Sequence, residues 1–336
     1  MKKIIGISSV FIGLVIGAGF ASGREIFEYF CLPSQTDFTG IILASFAFSA
    51  VCYIIMHLAK KINTPDFSSF ISKIAGKFRI PVKLFMLSFM FCGFFIMMSA
   101  CGVLAKETLG LPPICGIIFL GLVCFFVFIF DAKGLVAFNT ILVPLMIAGM
   151  VFLCLSSLLA AAPVFSFPDI TRRNPLLSAL CYVSYNTVTA GAVLVPLSAS
   201  ASKKQIASAS AFSGFVLGLL IYISWLSMNR FFDTLITTEM PLLALAADKG
   251  AFSKGVYTFV LFSALCTTAV SHGFGILGEL SCFPKANRTA AAAVLCLFAM
   301  PFAGFGFSNL ISNIYSAFGY VGIFWTGLII FRYIRA

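Results

Sequence analysis

Charge is what this sequence has least of. Only 10% of its 336 residues are Asp, Glu, Lys or Arg, and 61% are hydrophobic. A soluble domain carries about 25% charge and under half apolar residues, so a soluble globular protein is excluded. Histidine is nearly missing, with His57 and His272 alone, and no H-E-x-x-H occurs. The eleven cysteines form no C-x-x-C pair. Most of them (Cys52, Cys92, Cys101, Cys124, Cys154, Cys181, Cys266, Cys296) fall inside apolar runs, where cysteine acts as a small buried hydrophobe. Neither a metal framework nor a disulfide framework is expected. A phosphate-binding G-x-x-x-x-G-K-[ST] loop is absent as well, which argues against an ATP-driven pump. With no nucleophile–base set in view, no catalytic residue is assigned and an enzyme is not expected.

What the sequence has is long apolar runs. No charged residue occurs from Ile4 to Gly23, Phe38 to Met56, Leu84 to Ala105, Leu111 to Phe130 or Gly134 to Pro168. The same holds from Asn174 to Ser202, Gln205 to Asn229 and Gly255 to Gly278. The stretch Thr289 to Phe331 is long enough for two helices and is interrupted at Gly304-Phe305-Gly306. A helix needs about 20 apolar residues to cross the hydrocarbon, so eight single spans and one double predict ten crossings. Lys2-Lys3, the first apolar run and Ala21-Ser22-Gly23 imitate a signal peptide, but the run is too long for a signal core and is taken as a retained span.

The net charge of +11 follows topology rather than nucleic acid. With the N-terminus inside, 15 Lys and Arg fall in cytoplasmic loops and 6 outside, Arg24 lying within a span. The positive-inside rule then puts both termini in the cytoplasm of a bacterial inner-membrane protein. In the first cytoplasmic loop, Thr64-Pro65-Asp66 predicts a helix start with Thr64 as cap. Phe67, Phe70, Ile71 and Ile74 then form an apolar face suited to the inner leaflet. Residues 239–249 predict a half-helix lid on the outside.

Two spans carry breaks. Span 1 holds Gly17-Ala18-Gly19-Phe20-Ala21-Ser22-Gly23 followed by Arg24-Glu25, and span 6 holds Tyr185-Asn186-Thr187-Val188-Thr189-Ala190-Gly191. Glycines in one span more often serve helix packing, but Arg24-Glu25 this deep needs an interior cavity, which favours a break. The two stretches lie about 170 residues and five spans apart. A five-span repeat inserts its second copy upside down, giving one transmembrane domain (1–336) of two inverted halves, 1–160 and 168–335. Interrupted helices at matching positions of such halves point to a transporter's substrate site. The expected substrate contacts are Gly17, Ala18, Gly19, Ser22, Gly23, Tyr185, Asn186 and Thr187. At a break, free carbonyls suit a cation and free N–H groups suit an anion. In span 8, Thr267 and Thr268 commonly would bond back to their own helix, yet adjacent hydroxyls also suit a hard cation. His272 is expected to be a buried, hydrogen-bonded histidine, with Glu25 and His272 as possible proton carriers.

These residues carry a family resemblance. The chain resembles the five-plus-five inverted-repeat transporters of the amino acid–polyamine–organocation superfamily, the LeuT fold. Within it, Gly17-Ala-Gly-Phe-Ala-Ser-Gly-Arg-Glu-Ile26 is similar to the bacterial membrane proteins of the YkvI family. The resemblance implies an all-α fold of ten transmembrane helices with helices 1 and 6 broken. It further implies a sodium ion held by the carbonyls of Gly13, Ile16 and Ala264 and the hydroxyls of Thr267 and Thr268. The neurotransmitter-symporter branch has Asn and Arg-Phe-Pro after the G-x-G; this chain has Phe20 and Arg24-Glu25-Ile26, so that branch's substrate contacts are not carried over. The expected function is a secondary transporter, a sodium symporter of an amino acid or similar small organic solute. The alternatives are proton coupling or a non-transporting sensor on the same fold, such as a germinant-receptor subunit. The expected partners are that solute and the lipid bilayer, with no nucleic acid, no obligate protein partner and no cofactor besides the coupling ion.

Overall fold

The computed structural model describes residues 2–34, 36–64, 66–129, 133–160, 174–280 and 288–335, and no strand occurs among them. Span 1 is assembled from three pieces, α1 (Lys2–Val15), α2 (Ala18–Ala21) and α3 (Arg24–Ile26), the last running into a π-helical turn, Phe27–Cys31. There follow α4 (Thr39–Lys61), the short α5 (Phe67–Ala75), α6 (Arg79–Leu109), α7 (Pro113–Ile129) and α8 (Lys133–Ala160). The second half contains α9 (Pro175–Ser198), α10 (Lys203–Asn229), α11 (Phe232–Leu235), α12 (Pro241–Asp248), α13 (Ala251–Leu280) and α14 (Arg288–Ala303). It ends with α15 (Phe307–Leu310), a second π turn at Ile311–Tyr315, and α16 (Ser316–Arg335).

Six of the described helices are long and apolar enough to span a bilayer, and four shorter apolar helices of 10–17 residues accompany them. Their outward faces carry Phe46, Leu159, Phe252 and Phe324, each at least 72% exposed. So much exposed apolar surface fits lipid rather than water. The chain is a multi-pass membrane protein.

Inside the bundle, small residues set the spacing. Gly214 and Gly218 of α10 lie against Ser45 and Ser49 of α4, where an added Cβ at Gly214 would come within 1.9 Å of Ser49 Oγ. The Ser45 hydroxyl donates to the Gly214 carbonyl at 2.9 Å. At the end that carries both termini, Lys3 donates to the Ser200 carbonyl at 2.8 Å, Lys60 to that of Ala201, and Arg332 Nε to that of Ile74 at 3.0 Å. These cations sit on the free carbonyls of loops and helix ends, where the backbone dipoles favour them. At the far end Lys249 caps Ser156 at 2.9 Å and Lys254 caps Glu107 at 2.6 Å.

Several expectations meet the structure directly. The double span is interrupted as expected, at Gly306 with φ +86°. The predicted lid is α12, preceded by the one-turn α11. Two expectations are corrected. The cap of α5 is Asp66, whose carboxylate accepts from the Ser69 N–H at 2.8 Å, rather than Thr64, which bonds back to the Ala59 carbonyl. And the apolar face of α5 does not rest on lipid: Phe70, Ile71 and Ile74 are buried, and the helix packs on α6, α9 and α16.

The cap yields a test. The Ser69 side chain and N–H hold the Asp66 carboxyl below its ordinary range. A depressed carboxyl stabilises above its unfolded value, near 4, and loses that contribution as pH falls through the lower folded value. Asp66→Ala should cost about 1 kcal/mol, read as faster hydrogen exchange across α5 at neutral pH. Asp66→Asn should retain most of the protection and lose its acid sensitivity.

Candidate functional site

The break in span 1 is real and is stitched by other segments. The Gly17 N–H, which a regular helix would aim at the Gly13 carbonyl, donates to Val15 at 2.9 Å. The Ala18 N–H, which would close on Leu14, donates to Thr268 Oγ1 of α13 at 3.3 Å. Gly17 makes room for that hydroxyl, since a Cβ there would lie 3.2 Å from it. One turn on, the Ala21 carbonyl accepts from the Tyr257 hydroxyl of α13 at 2.6 Å, and the Ser22 carbonyl accepts from the Leu242 N–H of α12 at 3.0 Å. Gly23 then turns the chain at φ +80°, a left-handed conformation that glycine adopts without strain. Unpaired backbone groups at this depth would each cost several kcal/mol, so these partners are what permit the break.

Beyond the turn, Arg24 and Glu25 part company. Arg24 faces Glu28, 3.4 Å away, and donates to the Thr238 carbonyl at 3.2 Å. Glu25 folds back against Gly19, where an added Cβ would lie 2.0 Å from Glu25 Oε1. It is 4% exposed, and its Oε2 has no hydrogen-bond partner.

Four tyrosines lie within electrostatic range of that carboxyl: Tyr29, Tyr182, Tyr185 and Tyr315. Their rings pack in one group, with centroids 5.4 Å apart for Tyr29–Tyr182, 5.7 Å for Tyr29–Tyr185 and 5.0 Å for Tyr185–Tyr315. Tyr29 and Tyr315 come from the two π turns, a local geometry that recurs at functional sites. The hydroxyl of Tyr185 faces Glu25 and that of Tyr29 faces Ser316, yet neither reaches hydrogen-bonding geometry, nor does that of Tyr182. Buried polar atoms without partners cost about 1–3 kcal/mol each, so such a concentration marks a site rather than a core.

The expected break in span 6 does not exist. α9 is one helix from Pro175 to Ser198. Its polar residues are satisfied by their own helix: Asn186 Nδ2 donates to the Tyr182 carbonyl at 2.9 Å and Thr187 Oγ1 to that of Val183 at 2.8 Å. Back-bonding of this kind is the ordinary fate of Asn and Thr in a helix, and it accounts for one donor of Asn186 and the hydroxyl proton of Thr187 without opening the helix. Tyr185 alone of the three faces the cluster. Gly191 provides a notch for the Phe67 ring of α5, not a hinge.

On α13, Thr268 reaches the break, while Thr267 Oγ1 donates to the Ala264 carbonyl at 3.0 Å. His272 sits against Gly93 and edge-on to Phe89, and Phe89 in turn contacts Tyr185 and Tyr315. The far end of the bundle holds a cavity of about 620 Å³ whose lining includes Lys106, Glu107, Thr238, Glu239 and Asp248. Thr238, on the carbonyl that receives Arg24, connects this vestibule to the break.

Tyr29, Tyr182 and Tyr315 were not anticipated. The spacing Glu25-x-x-x-Tyr29 and Tyr182-x-x-Tyr185 puts each pair on one helix face and was a usable signal. Tyr315 had none, because it joins the group through a tertiary contact.

No family model matches the chain. It is 25% identical over 316 residues to the Bacillus subtilis protein YyaD, covering 93% of this chain and 92% of the other. It is 27% identical over 330 residues to the Bacillus subtilis membrane protein YkvI, covering 96% and 93%. A crystal structure of a variant manganese transporter from Eremococcus coleocola superposes with a TM-score of 0.60 at 15% identity, covering 96% of this chain and 76% of that one. The chain shares its fold with that protein.

The Gly19–Glu25 contact is directly testable. Gly19→Ala must eject the carboxylate or move the helix, an overpacking cost of about 1–3 kcal/mol in melting experiments. In a Glu25→Ala background the same change should cost almost nothing. Additive effects in that double-mutant cycle would contradict the geometry.

Proposed function

We propose that the protein is a secondary active transporter of a small organic solute, working by alternating access. In this reading the shorter apolar helices count as crossings, giving ten in two inverted halves, with both termini in the cytoplasm of a bacterial inner membrane. The observation that carries the reading is the bond from the Ala18 N–H to Thr268 Oγ1. It joins the two segments that the family resemblance had paired, span 1 at its break and the hydroxyl pair of span 8. A discontinuous helix stitched to the interior of a bundle is what a solute or ion site at membrane depth requires.

Sodium is the favoured coupling ion. The Gly17 N–H turns away from the Gly13 carbonyl, and the Thr267 hydroxyl and the Ala264 carbonyl already lie together. With the carbonyl of Ile16 and the Thr268 hydroxyl they supply five oxygens of the hard type that such a cation takes. One charge moving down the membrane potential contributes about 2.3 kcal/mol per 100 mV, enough for roughly fortyfold accumulation. A second reading is favoured by one specific observation, the buried Glu25 at the break: proton coupling with Glu25 as carrier and sodium unnecessary.

Reconstituted vesicles separate these readings. Sodium coupling predicts solute uptake that rises with an inward sodium gradient. Thr268→Val should weaken sodium-stimulated substrate binding about tenfold, and substrate-stimulated sodium binding by the same factor. Thr268→Ser should be nearly silent. Uptake that ignores sodium, collapses with a protonophore and tolerates Thr268→Val would leave the proton reading. Specific binding without any uptake would leave a sensor.

A further inference from the structure

We propose that the corner between α5 and α6, together with the end of α16, binds the phosphate headgroup of an anionic phospholipid. Both segments alternate cations with apolar residues: Lys77-Phe78-Arg79-Ile80 in one and Phe331-Arg332-Tyr333-Ile334-Arg335 in the other. The fold brings them together. Arg332 Nε donates to the Ile74 carbonyl at 3.0 Å, and a Cβ added at Gly76 would lie 3.8 Å from Arg332 Nη2. Lys77 is the next residue, and Arg79 opens α6. Both segments also mark the membrane boundary, since the charge-free run of α6 begins at Leu84 and that of α16 ends at Phe331. The apolar residues between the cations face outward, with Phe78 69%, Ile80 63% and Ile334 76% exposed.

The charge at this corner is of one sign. No Asp or Glu occurs from residue 67 to 106 or from 280 to 336. Lys77, Arg79 and Arg332 are exposed, and none has an acidic partner among the described residues. Other cations at this end are already occupied: Lys3 and Lys60 sit on loop carbonyls, and Lys73 on that of Ile62 at 2.7 Å. Arg332 spends Nε on the protein, which leaves its two terminal nitrogens for an acceptor. A guanidinium offers phosphate two parallel N–H bonds, and Lys77 adds a mobile point charge. The exposed Phe and Ile side chains choose the form of that phosphate. They suit the boundary between headgroups and acyl chains, whereas a soluble anion would leave them in water. A zwitterionic headgroup would carry its own ammonium into the cluster, so the charge favours an anionic lipid. A phosphate held there bridges the α5–α6 corner to α16, beside the Arg332 bond that already joins them.

The test titrates the full-length protein, stripped of lipid in detergent, with phosphatidylglycerol, phosphatidylcholine of the same acyl chains, and glycerol phosphate. Native mass spectrometry reads bound lipid, and thermal melting reads stabilisation. Phosphatidylglycerol should stay bound and raise the melting temperature, while the other two should do neither. Lys77→Gln with Arg79→Gln should weaken phosphatidylglycerol binding at least about tenfold. Neither side chain has an acidic partner to lose, so this double variant should melt with the parent when no lipid is present. Lys203→Gln with Lys204→Gln removes the same charge from the start of α10 and should change binding less than about twofold. Arg332→Gln should also weaken binding, at the cost of the Ile74 contact. Equal binding of phosphatidylcholine overturns the proposal. So do equal losses in the two double variants, which would leave only the general attraction of a basic face. Glycerol phosphate matching the lipid would overturn it too, in favour of a soluble anion. Solute uptake enters none of these readouts, so the proposal and the transporter reading stand or fall separately.

Discussion

The structure depends on how the opened backbone of span 1 is satisfied. A helix that stops at Val15 and restarts at Ala18 within a bilayer exposes amide and carbonyl groups that lipid cannot serve. Thr268 and Tyr257 of α13 and Leu242 of α12 serve them instead. Span 1 is therefore tied to two helices distant in sequence through its own main chain, and any shift of α13 against α1 must remake those bonds.

The same break explains why Glu25 can exist where it does. Gly19 has no side chain, so the carboxylate folds back into the space that a Cβ would fill. Arg24, one residue earlier, points the other way, toward the Thr238 carbonyl at the edge of the vestibule. Neighbouring charges of opposite sign are thus sent to different environments, Arg24 into a pair with Glu28 and Glu25 into an aromatic group without a counter-ion. The two ends of the bundle differ in the same sense. The far end opens into a 620 Å³ cavity, whereas at the terminal end α5 is packed into the bundle, with Phe67 in the Gly191 notch and Arg332 on the Ile74 carbonyl. The buried polar cluster thus lies between an open face and a stitched one.

Much of this was legible in the residues. The charge-free runs located the apolar helices, because a bilayer imposes a minimum length on any segment that crosses it. Four glycines within eleven residues, with Arg24-Glu25 at their end, located the break, because such charges at that depth need an interior to face. The adjacent Thr267 and Thr268 marked the segment of α13 that meets it. Span 6 misled for a physical reason. Asn186, Thr187 and Thr189 resemble a polar interruption, but each can bond to a carbonyl of its own helix, and a single Gly191 does not open a turn. Local polarity cannot distinguish a side chain that needs a partner from one that already has it.

The sequence by itself determined the class of molecule, the positions of its apolar helices, the break after Val15 and the presence of one buried acid beside it. These depend on composition and on spacing along a single helix, which the chain carries with it. The tertiary structure decided which groups share the interior: that Tyr29, Tyr182, Tyr185 and Tyr315 gather around Glu25, and that Thr268 rather than Thr267 reaches the backbone of span 1. Those depend on how far each helix is rotated and shifted against its neighbours. Side-chain volumes and small-residue contacts fix that only once the whole bundle has packed.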